Sequence, residues 1–170
     1  MLTLKFSEQE IKEFMRKLFR EAVFDNFETR GIEINTFTKF EISGVLDKSF
    51  EEAGNNPEEG NFTGEEGAFA ETRSYYCSWG QIKPYVLNII KGNKSPKGIK
   101  IIFSYKNANE FNENAKALFL NINFDVNHVM CTTGTSQVNF TLDRALDTLW
   151  NDYIIDMFNK INIPYENITV

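Results

Sequence analysis

The 170-residue chain has very few of the residues on which disulfide, zinc and histidine chemistry depend. It contains two cysteines, Cys77 and Cys131, and a single histidine, His128, with no CxxC motif. Such sparse cysteine is typical of reduced and largely buried thiols in a cytosolic protein. We therefore expect no metal and no cofactor. A disulfide or a zinc site is the alternative use of the same residues.

Long apolar runs are also missing. Short runs such as Val86-Leu87 and Ile101-Ile102-Phe103 fall far short of the ~20 residues that a membrane helix needs. The first six residues alternate and reach a charge too early for the apolar region of a signal peptide. We therefore expect a cytoplasmic protein without a membrane partner.

Phenylalanine, by contrast, is abundant: sixteen copies provide large side chains for one hydrophobic core.

Hydrophobic periodicity predicts an α+β fold. Capping-box patterns at Ser7 and Ser78 open two amphipathic helices, and a third begins near Asp143. Alternating segments between them read as strands joined by short turns, one of them at 133–135. Consecutive hairpins predict a mainly antiparallel sheet with three amphipathic helices on one face, in the order β-α-β-β-loop-β-α-β-β-β-β-α.

Residues 1–170 are predicted to form a single domain with two irregular segments. Residues 48–67 combine glycine, asparagine and proline with six glutamates, which predicts a flexible acidic loop. A strand near 69–76 is expected to resume the sheet. A short tail is expected over 163–170, after a proline that ends the last helix.

The net charge of −6 hides two segments of opposite sign. Residues 51–71 contain seven glutamates and no Lys or Arg, whereas residues 72–109 contain no Asp or Glu and seven basic residues. Basic residues with aromatic neighbours are what a nucleic-acid or phosphate-binding surface needs. We predict a non-enzymatic module that binds an anionic partner (nucleic acid, nucleotide or acidic protein) through this region, a solvated basic edge being the alternative. The predicted binding residues are Arg73, Lys83, Lys91, Lys94, Lys97 and Lys100.

No cluster of residues points to catalysis, so no catalytic residue is predicted. A nucleophilic site would have to combine His128, expected in an exposed turn without a partner, with Cys131 or Ser136. The hydroxyl-rich stretch 132–136 lacks the longer glycine pattern and the lysine of a phosphate-binding loop. A small hydrolase or transferase with an unidentified carboxylate or hydroxyl site remains an alternative function.

Several short motifs give the chain a family resemblance. They are Phe24-Asp25 with Phe27, Ile42 with Gly44, Trp79, Lys91-Gly92 with Lys94 and Pro96, Leu120-Asn121-Ile122, Thr133-Gly134-Thr135-Ser136, and Phe140 with Leu142-Asp143, Leu146-Asp147 and Trp150. With these the chain resembles an uncharacterised bacterial family of unknown function. The resemblance implies a discrete cytosolic domain and brings no activity or catalytic residue with it.

Two further interpretations stay open. The element order is similar to one domain of the DNA sliding clamps, which would place Arg16, Lys17 and Arg20 on one surface with Lys83 and Lys91. An interaction subunit with an exposed apolar patch is the other, with candidates at Phe62, Phe69, Tyr165 and Ile168.

Overall fold

A computed structural model describes residues 1–47, 49, 75–92 and 95–169. The helices are α1 (Glu8–Arg20), α2 (Trp79–Ile90) and α3 (Ala145–Ile161). The strands are β1 (Thr3–Phe6), β2 (Glu28–Asn35), β3 (Lys39–Ser43), β4 (Gly98–Ser104), β5 (Ala115–Asp125), β6 (Val129–Gln137) and β7 (Glu166–Asn167), with a 3₁₀ turn at Ala108–Glu110.

Both predicted capping boxes open their helices. The Ser7 N–H donates to Glu10 Oε2 at 3.1 Å, and the Ser78 N–H donates to Gln81 Oε1 at 2.9 Å. Reciprocal bonds of this kind satisfy amides at the helix start that have no partner within the helix. α2 continues through Pro84 in its second turn, where the proline ring removes one N–H and therefore one internal hydrogen bond.

The strands form one seven-stranded sheet in the order β3-β2-β4-β5-β6-β1-β7, and every pairing is antiparallel. The three helices join this sheet in an α+β arrangement. The predicted fold class is therefore confirmed.

Two local features differ from the sequence-based expectation. The turn predicted at 133–135 lies inside β6, where Thr133 pairs with Leu120 and Thr135 pairs with Leu118. β-Branched threonines favour a strand, and here they outweigh the turn tendency of Gly134. The C-terminal tail is also not wholly irregular, because Glu166–Asn167 adds β7 beside β1.

All three helices lie on the same side of the sheet, which we call the helix face. The ring of Phe14 on α1 lies 4.8 Å from that of Phe6, and the ring of Phe158 on α3 lies 5.0 Å from the same ring. The ring centroid of Trp79 on α2 lies 5.3 Å from that of Phe103. The strand register places Phe6 and Phe103 on one side, so the aromatic core fills the space between helices and sheet.

The opposite side of the sheet, which we call the open face, is far more polar. Lys5, Met130, Asn123 and Lys100 follow one another across β1, β6, β5 and β4 in direct register. They project away from the helices because side chains alternate along a strand. The open face is thus a second surface, separate from the helix face.

Some predicted features fall outside the described residues. The acidic loop expected over 48–67 lies outside them except at residue 49. Of the strand expected over 69–76, only residues 75 and 76 are described, and Tyr76 forms a bridge with Val45. In the described ranges, none of the helices has the length and apolar character that a membrane crossing demands.

Candidate functional site

The predicted basic residues that the structure describes are spread over different parts of the fold. Arg73 and Lys94 lie outside the described residues. Lys91 caps the end of α2, and Lys97 immediately precedes β4; both are exposed. Lys100 projects from the open face of β4. Neighbours in sequence are therefore separated by the sheet itself.

Lys83 is engaged in an internal contact. Its Nζ lies 2.5 Å from Asp25 Oδ1 and donates to the Glu21 backbone oxygen at 2.9 Å. Only 16% of its side chain is exposed. Because Glu21 ends α1 and Lys83 belongs to α2, this ammonium group holds the two helices together instead of facing solvent.

The clamp-like interpretation requires the basic residues of α1 and α2 on one surface. The two helices do pack on the same face of the sheet. Lys17, however, forms an ion pair with Glu21 at 2.9 Å, the residue whose backbone also accepts from Lys83. Arg16 also contacts the carboxylates of Glu13 and Glu21, so three of the five cations that this interpretation needs form ion pairs within the fold.

An elongated groove lies between α1 and α2 on the helix face, with a volume of about 760 Å³. We call it the α1–α2 groove. Its lining on α1 runs from Gln9 to Arg20, which is about 16 Å along a helix axis. The floor is apolar and comes from α1, α2, β4 and β5: Ile11, Met15, Phe19, Leu87, Ile90, Ile99 and Phe124.

A row of cations borders this groove along α1. Lys12, Arg16 and Arg20 are exposed and recur every four residues, which places them on one side of the helix. Arg16 contacts the carboxylates of Glu13 and Glu21, and hydrogen bonding to Glu13 raises the pKa of its guanidinium. Lys12 and Arg20 form no ion pair with any residue that the structure describes.

Two of the predicted residues stand next to the groove on its other side. Leu87, Ile90 and Pro96 line it there. Lys91 directly follows Ile90, and Lys97 directly follows Pro96. The groove therefore has exposed cations near both of its sides.

The residues of the hydrolase alternative do not converge. His128 is half-buried, and its Nδ1 lies 3.1 Å from Asp125 Oδ1, so the expectation of an exposed histidine without a partner is wrong. Ser136 lies at the far end of β6, eight residues away, or about 26 Å along a strand. Of the nearby hydroxyls, Thr133 Oγ1 donates to Asn151 Oδ1 at 2.6 Å, which fixes α3 to β6.

The two thiols are free and poorly suited to nucleophilic chemistry. Burial raises the pKa of the half-buried Cys77 and raises that of the fully buried Cys131 well above its ordinary value. A high pKa leaves little thiolate at neutral pH. Over the described ranges, histidine, cysteine and carboxylate side chains form no group of three suited to a metal ion.

The apolar patch proposed for the tail is packed instead of exposed. The Tyr165 ring lies 6.0 Å from that of Phe6, and Ile168 is half-buried. Phe62 and Phe69, the other candidates, lie outside the described residues.

The sequence profile of one family matches residues 17–166, and the family is described as a family of unknown function, DUF5721. The chain belongs to this family. The resemblance to an uncharacterised family is thereby confirmed. The DUF5721 match begins within α1, so it includes Arg20 but neither Lys12 nor Arg16. No curated protein matches the chain, and no solved structure does.

The basic row of α1 is not among the predicted binding residues, although the clamp-like interpretation includes Arg16 and Arg20. Its pattern is nevertheless visible there, because Lys12, Arg16 and Arg20 each follow one residue after Ile11, Met15 and Phe19. A basic row beside an apolar row reads as an ordinary amphipathic helix. Only the open space beside the apolar row distinguishes a binding groove from a buried helix face.

Proposed function

We propose that this DUF5721 member is a cytoplasmic, non-enzymatic interaction module whose α1–α2 groove binds an acidic amphipathic helix of a partner protein. The observation that carries the proposal is the apolar floor about 16 Å long, with Lys12 and Arg20 along one rim, two cations that form no ion pair with a described residue. The free thiols Cys77 and Cys131 support a reducing compartment.

The spacing of the two cations favours a helix as the occupant. Lys12 and Arg20 are eight residues apart on α1, which corresponds to about 12 Å. Carboxylates at positions i and i+7 or i+8 of a partner helix have the same separation. Apolar side chains between them enter the floor, as in other helix-in-groove complexes, and the flexible Met15 adapts to their shape.

Other anionic ligands fit this arrangement less well. A single-chain amphiphile has one anionic head and leaves the second cation without a counter-charge. Single-stranded nucleic acid gains much of its binding from bases stacked on aromatic rings, whereas Ile11, Met15, Leu87, Ile90 and Ile99 make the floor mainly aliphatic. The acidic protein among the predicted partners is therefore the one we select.

The test uses a synthetic helical peptide of about 16 residues with leucines on one face and two glutamates eight positions apart. Its binding to the full chain is measured by fluorescence anisotropy at low and at physiological salt. Scrambled peptide, single-stranded DNA and duplex DNA are measured alongside it. We expect the helical peptide to bind at least about ten-fold more tightly than the scrambled one.

The decisive variant is Lys12→Glu/Arg20→Glu, which we expect to weaken peptide binding by at least about ten-fold. The matched control is Lys116→Glu/Lys160→Glu, which changes the net charge equally at two exposed positions outside the groove. If both variants lose the same peptide affinity, the effect comes from net charge alone and the proposal is overturned. So would DNA binding stronger than peptide binding, or equal affinity for the scrambled peptide.

A further inference from the structure

A bulge in β2 directs Arg30 onto the open face, opposite the α1–α2 groove. The register between β2 and β4 shifts between Thr29 and Gly31, which leaves Arg30 as the extra residue. Bulges of this kind redirect a side chain and are frequent at functional sites. Gly31 leaves the space beside Arg30 open, because a Cβ atom there would come no closer than 3.9 Å to its nearest neighbour, the Ile42 backbone oxygen.

The guanidinium of Arg30 is held in a fixed orientation by buried partners. Its Nε donates to Ser104 Oγ at 2.7 Å, and Ser104 Oγ donates to Glu28 Oε2 at 3.0 Å. Ser104 is fully buried. The guanidinium carbon lies 3.8 Å from the centroid of the Tyr76 ring and 5.7 Å from that of Phe119. Stacking and one hydrogen bond together restrict the rotation of the group.

The outer edge of this guanidinium donates no hydrogen bond within the described part of the chain. Neither Nη1 nor Nη2 donates a hydrogen bond to a described residue, and the Glu28 carboxylate stays 3.9 Å from Nη2. The Arg30 side chain keeps 30% of its surface exposed. Arg30 is positioned by Nε and by stacking, and its two terminal nitrogens donate no hydrogen bond to a described residue. An arginine in this state can bind an anion through two parallel hydrogen bonds.

Arg30 opens into a trough of about 390 Å³ on the open face, which Gly31, Ser43 and Lys100 also line. Lys100 has no ion pair among the described residues and adds a second positive charge. Lys39 contacts both carboxylates of the same trough, Glu33 and Glu41, and offsets one of their two negative charges. The trough is thus large enough for a small molecule, and Arg30 and Lys100 are the two cations in its lining.

We propose that Arg30 anchors a binding site on the open face for a small molecule carrying a two-oxygen anionic group, a carboxylate or a phosphate. Two oxygens of the ligand accept from Nη1 and Nη2, and Lys100 attracts the anion into the trough. The site is independent of the α1–α2 groove, because the sheet separates the two surfaces.

The test follows the Arg30 Nε–Hε resonance by NMR while acetate or inorganic phosphate is added to the full chain at constant ionic strength, with chloride as the reference salt. We expect a saturable shift with a dissociation constant on the order of 1–10 mM. A response to acetate alone assigns the site to carboxylates, a response to phosphate alone assigns it to phosphates, and a response to both supports the shared chemistry.

Arg30→Lys keeps the charge and removes the planar fork, so we expect at least about ten-fold weaker binding in this variant, detected through the amide of Gly31. Arg144→Lys, at an exposed arginine before α3, is the matched control and should leave binding unchanged. The titration of the wild-type protein tests the site even if a variant fails to fold. The absence of a saturable shift up to about 100 mM of either anion, or equal binding by Arg30→Lys, overturns the proposal.

Discussion

The backbone of Gly44 packs directly against the backbone of Thr29. A Cβ atom built on Gly44 would lie 1.6 Å from the Thr29 oxygen. Cys77 joins the same contact from the third side, since its N–H donates to the Gly44 oxygen and its oxygen accepts from the Thr29 N–H, both at 2.8 Å. Three distant segments therefore meet at a point where only glycine fits.

We predict that Gly44→Ala destabilises the protein severely. The added methyl group would overlap with backbone atoms of Thr29, which cannot rotate away as a side chain can, so β2 and the segment that follows β3 must separate. We expect a loss of more than about 3 kcal/mol in the free energy of unfolding, beyond the usual cost of overpacking. Urea unfolding followed by circular dichroism measures it.

Gly134→Ala is the control for that substitution. A Cβ atom at Gly134, inside β6, would meet Phe119 Cβ at 3.8 Å, an ordinary contact distance. Alanine is also less costly than glycine in a strand. This variant should be neutral or slightly more stable, and a large loss for both variants would contradict the role given to Gly44.

A second prediction separates stability from binding at Lys83. Lys83→Met removes the hydrogen bonds to Asp25 and to the Glu21 oxygen. We expect a loss of about 1–2 kcal/mol in the free energy of unfolding and peptide binding unchanged within about two-fold. Lys116→Met, at an exposed position, should change stability by less than about 0.5 kcal/mol. If peptide binding is impaired while stability is unchanged, Lys83 contributes to binding and not to the packing of α1 against α2.

Local sequence patterns were sufficient for most of the fold. Capping boxes at Ser7 and Ser78 mark helix starts through bonds between residues three apart, and the apolar alternation of β5 is equally local. The prediction of a turn at 133–135 is wrong because glycine between threonines suits both a turn and a strand. Whether these residues form a turn or a strand depends on their pairing with β5.

The candidate sites were less accessible from the sequence, because they depend on which side of an element a residue faces. Lys97 and Lys100 are three residues apart, yet Lys100 projects from the open face while Pro96, beside Lys97, lines the α1–α2 groove. Arg30 reaches its position through a bulge, which is a register shift that no local sequence pattern predicts. Sequence proximity of charges is a poor guide when a strand lies between them.

A final prediction concerns the acid side of the pH range and the turn between β5 and β6. Asp125 Oδ1 accepts the Asn127 N–H at 2.8 Å and the His128 N–H at 3.1 Å. The bond from Asn127, followed by smaller contributions from His128 and Lys5, lowers the pKa of Asp125, because hydrogen bonds to a carboxylate favour its charged form. The folded pKa thus lies below the unfolded value of about 3.9. The carboxylate's contribution to stability is therefore complete above about pH 4 and is lost as the pH falls through the folded pKa.

Asp125→Ala isolates this effect from the other carboxylates, which are common to both proteins. Its free energy of unfolding should fall below that of the wild type by a constant amount from about pH 5 to pH 7, and the difference should shrink as the pH approaches 2. Urea unfolding of both proteins at several pH values measures the difference. In parallel, the carboxyl ¹³C shift of Asp125 should titrate below pH 3.9 in the folded state. A difference that stays constant down to pH 2 would assign the effect to the shape of the side chain and not to its charge.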